Sequence, residues 1–144
     1  MTSKPSKQDL LRRGLIRQSP VDRRAVENLL GRAEIDLRTA KRNLDEDPEC
    51  THTYSYRAML RSGQALMLHK GYRPDIKNKH KTVVQFAGVA FDDQYQDLVD
   101  DFDQIRRKRH ALFYEPDIPC SRIEAEHALK TAVNFVKAVR STIG

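Results

Sequence analysis

The chain has little cysteine, no tryptophan, and only a few glycines and prolines. Its 144 residues include two cysteines, six glycines and six prolines. Cys50 and Cys120 match no metal-ligand spacing, and so sparse a pair argues against a disulfide scaffold and for a reducing compartment. The glycines are isolated, which excludes a phosphate-binding loop or a dinucleotide fingerprint, so we expect no cofactor.

Long apolar runs are also missing. No segment approaches the ~20 apolar residues that cross a bilayer, and the N-terminus lacks the apolar part of a secretory signal. We therefore expect a cytoplasmic protein that does not enter a membrane.

The histidines are too scattered to form a metal site. His52, His69, His80 and His127 share no ligand spacing with a cysteine or a carboxylate, so we expect no metal. His80 is interpreted instead as a residue at the start of a helix, with local packing or hydrogen bonds.

The chain is rich in charged residues, and its apolar residues follow a helical period. Charged residues make up 32% of it and aromatic residues 7%, a balance typical of solvated helices rather than of a β-sandwich. Apolar residues recur at steps of three and four in several segments, which indicates amphipathic helices. We see no convincing alternating strand and no internal repeat. The sequence therefore predicts an all-α fold, an antiparallel bundle of four to five helices with short connections.

Caps and breaks divide the chain into five helical segments. The first starts at Ser19-Pro20, the second covers about 51–70, the third covers 83–91, the fourth starts at 92–93, and the fifth starts at Ser121. Ser19 before a proline is a favoured helix start, and Gly71 is a favoured C-cap. Ser121 and Glu124 have the spacing of a capping box. The second segment is apolar on nearly all sides, so we expect it at the centre of the bundle.

The first eighteen residues differ from the rest in charge. One acid, Asp9, stands there against the cations Lys4, Lys7, Arg12, Arg13 and Arg17. Termini of this composition are usually disordered. We therefore expect residues 1–18 to be a flexible basic arm and residues 19–144 to be a single helical-bundle domain.

The whole chain is basic, with 26 lysines and arginines against 20 acids and a net charge of +6. This balance suits an acidic partner such as RNA or DNA. A soluble basic protein with no special partner has the same balance, so charge alone does not decide whether this protein binds nucleic acid.

The segment RRKRHALFYEP, residues 106–116, is the most chemically capable part of the sequence. The fourth helix has an apolar stripe at Tyr95, Leu98, Val99, Phe102 and Ile105, and Leu112 and Phe113 continue it. Arg109 stands where this period requires an apolar residue. Because a buried guanidinium needs a partner, Arg109 pairs with a carboxylate inside the fold or faces a cleft or subunit interface where an anion binds. His110 lies one step off the stripe, four residues from both Arg106 and Tyr114.

The basic end of this helix also has a purely structural interpretation. Acids in its first half and bases in its second half suit the helix dipole, and Asp103 can pair with Arg106 or Arg107. That interpretation accounts for Arg106, Arg107 and Lys108, but it leaves Arg109 unexplained.

The order of these segments resembles the HEPN family of small α-helical bundles, found in bacterial and archaeal toxins and in RNA-targeting nucleases. The resemblance rests on ALMLHKGYRP (65–74), on His80 at the start of the third helix, and on RRKRHALFYEP followed by the SRIEAEHALKTA helix. It covers most of the chain from about residue 20 onward. It implies a HEPN-like bundle in which two protomers bring their motifs together to cleave RNA without a metal.

Catalytic members of the family have an arginine, a polar residue, three variable residues and then a histidine. Here Arg109 takes the place of the arginine and His110 that of the polar residue, but Tyr114 stands where the histidine is expected. Attack by a ribose 2′-hydroxyl needs a proton acceptor, a proton donor and a stabilising cation. Arg109 can supply the cation. An imidazole titrates near neutrality, whereas a phenol, with an ordinary pKa of ~10, is a poor base that can still donate a hydrogen bond.

Two functions stay open after this comparison. The first is a homodimeric, metal-independent ribonuclease toxin that binds RNA or a nucleotide at a cleft centred on Arg109. Its catalytic candidates are Arg109, His110 and Tyr114, and its candidates for nucleic-acid binding are Arg106, Arg107 and Lys108. The alternative is a catalytically inactive HEPN-type module that partners a nucleotidyltransferase antitoxin, which the resemblance implies as a partner.

Overall fold

Six α-helices and one short two-stranded ribbon make up residues 4–144, the part of the chain that the computed structural model describes. The elements are α1 (Lys7–Arg12), β1 (Ile16–Gln18), α2 (Arg23–Arg42), α3 (Pro48–His69), β2 (Tyr72–Pro74), α4 (Lys79–Ala90), a 3-10 turn (Asp93–Tyr95), α5 (Gln96–Tyr114) and α6 (Arg122–Ile143). The prediction of an all-α helical bundle is confirmed, although residues 4–144 form six α-helices rather than four to five. None of the helices within 4–144 is both long and apolar enough to cross a membrane.

Side-chain caps fix where the long helices begin. The capping box of Ser121 and Glu124 is present at the start of α6, as the sequence predicts. Helix α2 starts at Arg23 rather than near Pro20, because the side chain of Asp22 accepts the Ala25 N–H at 3.1 Å. The start predicted for this helix at Ser19-Pro20 is therefore too early in the chain.

Helix α3 also begins outside its predicted bounds. Asp47 caps it by accepting the Cys50 N–H at 3.1 Å, and Pro48 occupies its first turn. The helix thus begins at Pro48 rather than near Thr51. It ends before Gly71, whose φ of +89° is the left-handed conformation that favours glycine after a helix.

The N-terminal segment packs onto the bundle. Leu10 of α1 is fully buried and Ile16 of β1 is 2% exposed. Ile16 pairs with Pro74 in the antiparallel ribbon of β1 and β2. Over residues 4–18 the structure therefore differs from the expected flexible arm, because these two apolar side chains anchor the segment. The part of that expectation concerning residues 1–3 lies outside the described residues.

Helix α3 lies at the centre of the bundle and packs against α2, α4, α5 and α6, as the sequence predicts. The core beside it contains the fully buried Phe102 and Phe135, whose ring centroids are 4.8 Å apart. The α2–α3 contact also has a polar tie, since Arg61 donates to the buried carboxylate of Asp36 at 2.9 Å. These contacts hold α3 rigidly, so side chains on its remaining face have defined positions.

The inner face of α5 is the apolar stripe, with one exception. Val99, Phe102, Ile105 and Leu112 are buried, whereas Phe113 is 68% exposed. The prediction that Phe113 continues the stripe is wrong. Each helical residue turns about 100° from the one before, so burial of Leu112 directs Phe113 away from the core.

Gly63 permits the close contact between α3 and α4. A Cβ added there would lie 2.5 Å from Val83 Cγ1, and Val83 is a stiff, fully buried side chain. We expect Gly63→Ala to lower the free energy of unfolding by about 1–2 kcal/mol, since overpacking outweighs the gain of alanine in a helix.

Gly31→Ala is the matched control for this measurement. An added Cβ at Gly31 in α2 meets no atom within 4 Å, so we expect it to raise the free energy of unfolding by about 0.5–1 kcal/mol. Urea denaturation of both variants measures the difference. Equal effects at the two positions would contradict the close approach of α3 and α4.

Candidate anion-binding site

Helices α3, α4 and α5 enclose a pocket of about 380 Å³. Its lining consists of Thr53, Tyr56, Arg57 and Leu60 from α3, His80 from α4, and Arg106, Arg109, His110, Phe113 and Tyr114 from α5. The pocket therefore contains all three catalytic candidates of the sequence analysis. We refer to it as the Arg109 pocket.

Helical spacing explains why these side chains share one cavity. On α3 the lining residues 53, 56, 57 and 60 follow steps of three, one and three, and on α5 residues 106, 109, 110 and 113 repeat the same steps. Such spacing places side chains on one face of a helix. Two helices thus present matching faces to each other, and the space between these faces is the pocket.

The lining of this pocket has an excess of positive charge. Arg57, Arg106 and Arg109 line it, and none of its described lining residues has a carboxylate. Arg106 is tied to Asp103 at 2.9 Å. Arg57 and Arg109 make no ion pair with any carboxylate of residues 4–144. Within the described chain Arg109 therefore faces a cleft and is not part of an internal ion pair.

Aromatic rings hold the two unpaired guanidiniums in place. The Arg57 guanidinium lies 5.0 Å from the centroid of the Tyr54 ring, and that of Arg109 lies 5.8 Å from the Phe113 ring. These cation–π contacts orient the guanidiniums but satisfy none of their N–H donors. Both cations therefore have donors free for an anionic ligand.

His110 and Tyr114 are adjacent at the rim of the pocket. Their ring centroids are 4.5 Å apart, as expected for residues four positions apart on a helix. Tyr114 is 65% exposed, so its phenol can reach a ligand or a second chain. The structure thus brings together Arg109, His110 and Tyr114.

The candidates for nucleic-acid binding do not all belong to this pocket. Arg106 lines it, but Arg107 pairs with Asp103 at 3.0 Å on an exposed surface outside it. Lys108 pairs with Glu124 at 3.0 Å and so is held against α6. Contact of Arg107 and Lys108 with nucleic acid stays a prediction.

The sequence analysis missed Arg57 and interpreted His80 too narrowly. Arg57 belongs to no motif, and its only signal is a cation on a largely apolar helix. His80 does lie in the first turn of α4, but its Nδ1 is 3.0 Å from the hydroxyl of Tyr56 on α3. Its hydrogen bond therefore joins two helices rather than being local.

Desolvation shifts the pKa values of both groups toward their neutral forms. Desolvation raises the pKa of Tyr56 well above its ordinary value, with Arg106 and Arg109 opposing the shift. Desolvation also lowers the pKa of His80, assisted by the positive charges of Lys79 and Arg106. At neutral pH the phenol is protonated and the imidazole is neutral.

No metal site is formed by the described residues. The pocket offers two imidazoles but no carboxylate or thiolate, and within 4–144 no three His, Cys, Asp or Glu side chains are grouped as metal ligands. Its donors are N–H and O–H groups, which suit the oxygens of an anion.

His52 is buried on α3, next in sequence to Thr53 of the pocket lining. It is 2% exposed, and its Nδ1 has no hydrogen-bond partner among the described residues. Burial, followed by the charge of Arg109, lowers the pKa of His52 to about 4. This histidine is therefore neutral in the folded protein at physiological pH.

Comparison with protein families identifies this fold. A family model described as HEPN domain matches residues 26–142, a range that includes every residue lining the Arg109 pocket. No curated protein matches the chain.

The lowered pKa of His52 predicts acid sensitivity. Between pH 6.5 and about 4, the unfolded chain binds a proton at this residue and the folded protein does not, so stability falls as the pH drops through this window. We expect the wild type to lose on the order of 3 kcal/mol more than His52→Gln across it. Denaturation at pH 7 and pH 4.5 measures the difference, and parallel losses in both proteins would contradict it.

Proposed function

The chain belongs to the HEPN domain family, and from this premise we propose that it binds RNA or a nucleotide in the Arg109 pocket. One observation carries the proposal: three guanidiniums line the pocket, and no carboxylate does. The forked N–H groups of arginine match the oxygens of a phosphate, and a cleft of one charge sign attracts the opposite charge. A phosphate group is therefore the ligand that this chemistry favours.

We propose further that the active form is a cytoplasmic homodimer. Phe113 and Tyr114 expose 68% and 65% of their surface at the rim, which is apolar area that a second protomer would cover. Two such pockets facing each other would repel through their arginines. An RNA strand between them removes that repulsion, so binding and dimer contact support each other.

The proposed reaction is metal-independent cleavage of RNA, as in a ribonuclease toxin of a toxin–antitoxin pair. The ribose 2′-hydroxyl attacks the adjacent phosphorus and the 5′-oxygen leaves, and Arg109 stabilises the negative charge that develops on the phosphate. His110 takes the proton of the 2′-hydroxyl and gives it to the departing 5′-oxygen, because an imidazole can both accept and donate a proton. Tyr114, beside His110 at 4.5 Å between ring centroids, donates a hydrogen bond.

A second candidate function is favoured by Tyr114 itself. A phenol occupies the position where catalytic relatives have a histidine, and it is a poor proton acceptor at neutral pH. In this alternative the chain is a catalytically inactive HEPN module, and its basic pocket serves recognition of a nucleotidyltransferase antitoxin or of that partner's nucleotide.

Arginine variants inside and outside the pocket test the binding site. We expect Arg109→Ala to weaken binding of a fluorescein-labelled single-stranded RNA by about tenfold or more, because hydrogen bonds to a charged group are lost. Arg38→Ala removes the same charge on an exposed face of α2 outside the pocket, and we expect a change under about threefold. Fluorescence anisotropy at one fixed salt concentration measures both. Equal losses would mean that the general surface charge, and not the pocket, binds RNA.

Cleavage in EDTA separates the two functions. We expect the wild type to cleave a structured RNA, with losses of about 100-fold or more for Arg109→Ala and His110→Ala. Tyr114→His should increase the rate, because it adds an imidazole where the phenol stands. RNA binding without cleavage, by both the wild type and Tyr114→His, would contradict the nuclease and support the interaction module.

A further inference from the structure

The buried Tyr56 and the exposed His80 contact each other at the wall of the Arg109 pocket. The phenol of Tyr56, a residue that is 4% exposed, lies 3.0 Å from His80 Nδ1. The two ring centroids are 5.7 Å apart. Tyr56 also packs at 6.0 Å against the ring of the fully buried Phe102. The phenol is thus held by the core, and it in turn holds the imidazole.

The buried phenol determines which nitrogen of His80 carries the hydrogen. A buried O–H needs an acceptor, and Nδ1 of His80 is the partner that the described residues provide for it. If Tyr56 donates to Nδ1, the neutral imidazole must carry its hydrogen on Nε2. The opposite tautomer would leave the phenol hydrogen without an acceptor in the described structure. Among residues 4–144 the hydrogen bond of His80 uses Nδ1 and not Nε2, so the Nε2–H group is available to a ligand in this pocket.

We propose that His80 is a phosphate-binding residue that donates its Nε2–H to a phosphate oxygen in the Arg109 pocket, and that Tyr56 positions it. This inference rests on the proposed function, since it names a further ligand-contacting residue of the same pocket. His80 does not act as a cation here: its lowered pKa keeps it neutral. The lining thereby combines charged donors on Arg57 of α3 and Arg109 of α5 with a neutral donor on α4.

A neutral donor at this position has a chemical advantage. Lys79 on the same helix and Arg106 on α5 already disfavour a positive charge on His80, and Tyr56 is the titratable group facing it from α3. A third unpaired cation would add repulsion to an apo pocket that has no carboxylate. An N–H dipole adds a hydrogen bond without that repulsion, and it continues to donate as the pH rises above neutrality.

The test is a titration of the full chain with inorganic phosphate at pH 8, followed through the imidazole ¹⁵N and ¹H resonances. In the free protein we expect the Nε2–H tautomer for His80, identified by the loss of its signals in His80→Ala. Added phosphate should shift Nε2 more than Nδ1. A His80 that carries its hydrogen on Nδ1 would overturn the proposal.

Variants supply the second measurement. We expect His80→Ala to weaken phosphate binding by about tenfold and Tyr56→Phe, which removes one oxygen atom, by about threefold. Lys79→Ala removes a full charge beside His80 outside the lining, and its effect should be smaller than that of His80→Ala. The ratio of wild-type to His80→Ala affinity should be the same at pH 7 and pH 8, because a neutral donor does not titrate in that range.

The outcomes distinguish this inference from the function on which it rests. Phosphate binding by the wild type that is unchanged in a folded His80→Ala would overturn the role of His80 alone. An effect of Lys79→Ala on phosphate binding that exceeds that of His80→Ala would also overturn this role. It would show that local positive charge, rather than a hydrogen bond from His80, supports binding. Failure of the wild type to bind phosphate, together with failure to bind RNA, would overturn the pocket itself.

Discussion

The packing of α5 against α3 is the contact on which the site depends. Val99, Phe102 and Ile105 are buried on the inner face of α5, and this burial fixes the rotation of the helix. Once that rotation is fixed, the helical period turns the face of Arg106 and Arg109 toward the matching face of α3. The Tyr56 ring joins the two, since it packs against Phe102 and also lines the pocket. The core and the pocket are thus two sides of one helix contact.

Charge then decides what this pocket can bind. Several exposed cations of the protein pair with an acidic neighbour, as Arg107 does with Asp103 and Arg122 does with Asp45. Arg57 and Arg109 are the arginines of the pocket that form no such pair within residues 4–144, and each lies over an aromatic ring instead. Unpaired cations in a cleft raise the energy of the empty protein slightly and are compensated when an anion binds. The same feature favours phosphate recognition in both proposed functions.

Several of these features could be predicted from the sequence, and the reasons are local. Arg109 interrupts an apolar stripe on its own helix, and Ser121 and Glu124 form a cap within one turn. Arg57 and His80 could not be predicted as site residues, because their role arises where α3 and α4 meet α5 in space. The N-terminal ribbon was missed because strands of three residues are too short to show alternation. Phe113 was misplaced because its neighbour Leu112 takes the buried direction.

The location of a bound phosphate analogue tests the central claim most directly. Crystals of the protein soaked with tungstate would show the position of the anion through the anomalous scattering of its metal atom. The account predicts tungstate in the Arg109 pocket, with its oxygens within hydrogen-bond distance of the Arg57 and Arg109 guanidiniums. Tungstate bound instead beside Lys81 and Arg107, with an empty Arg109 pocket open to solvent, would contradict it.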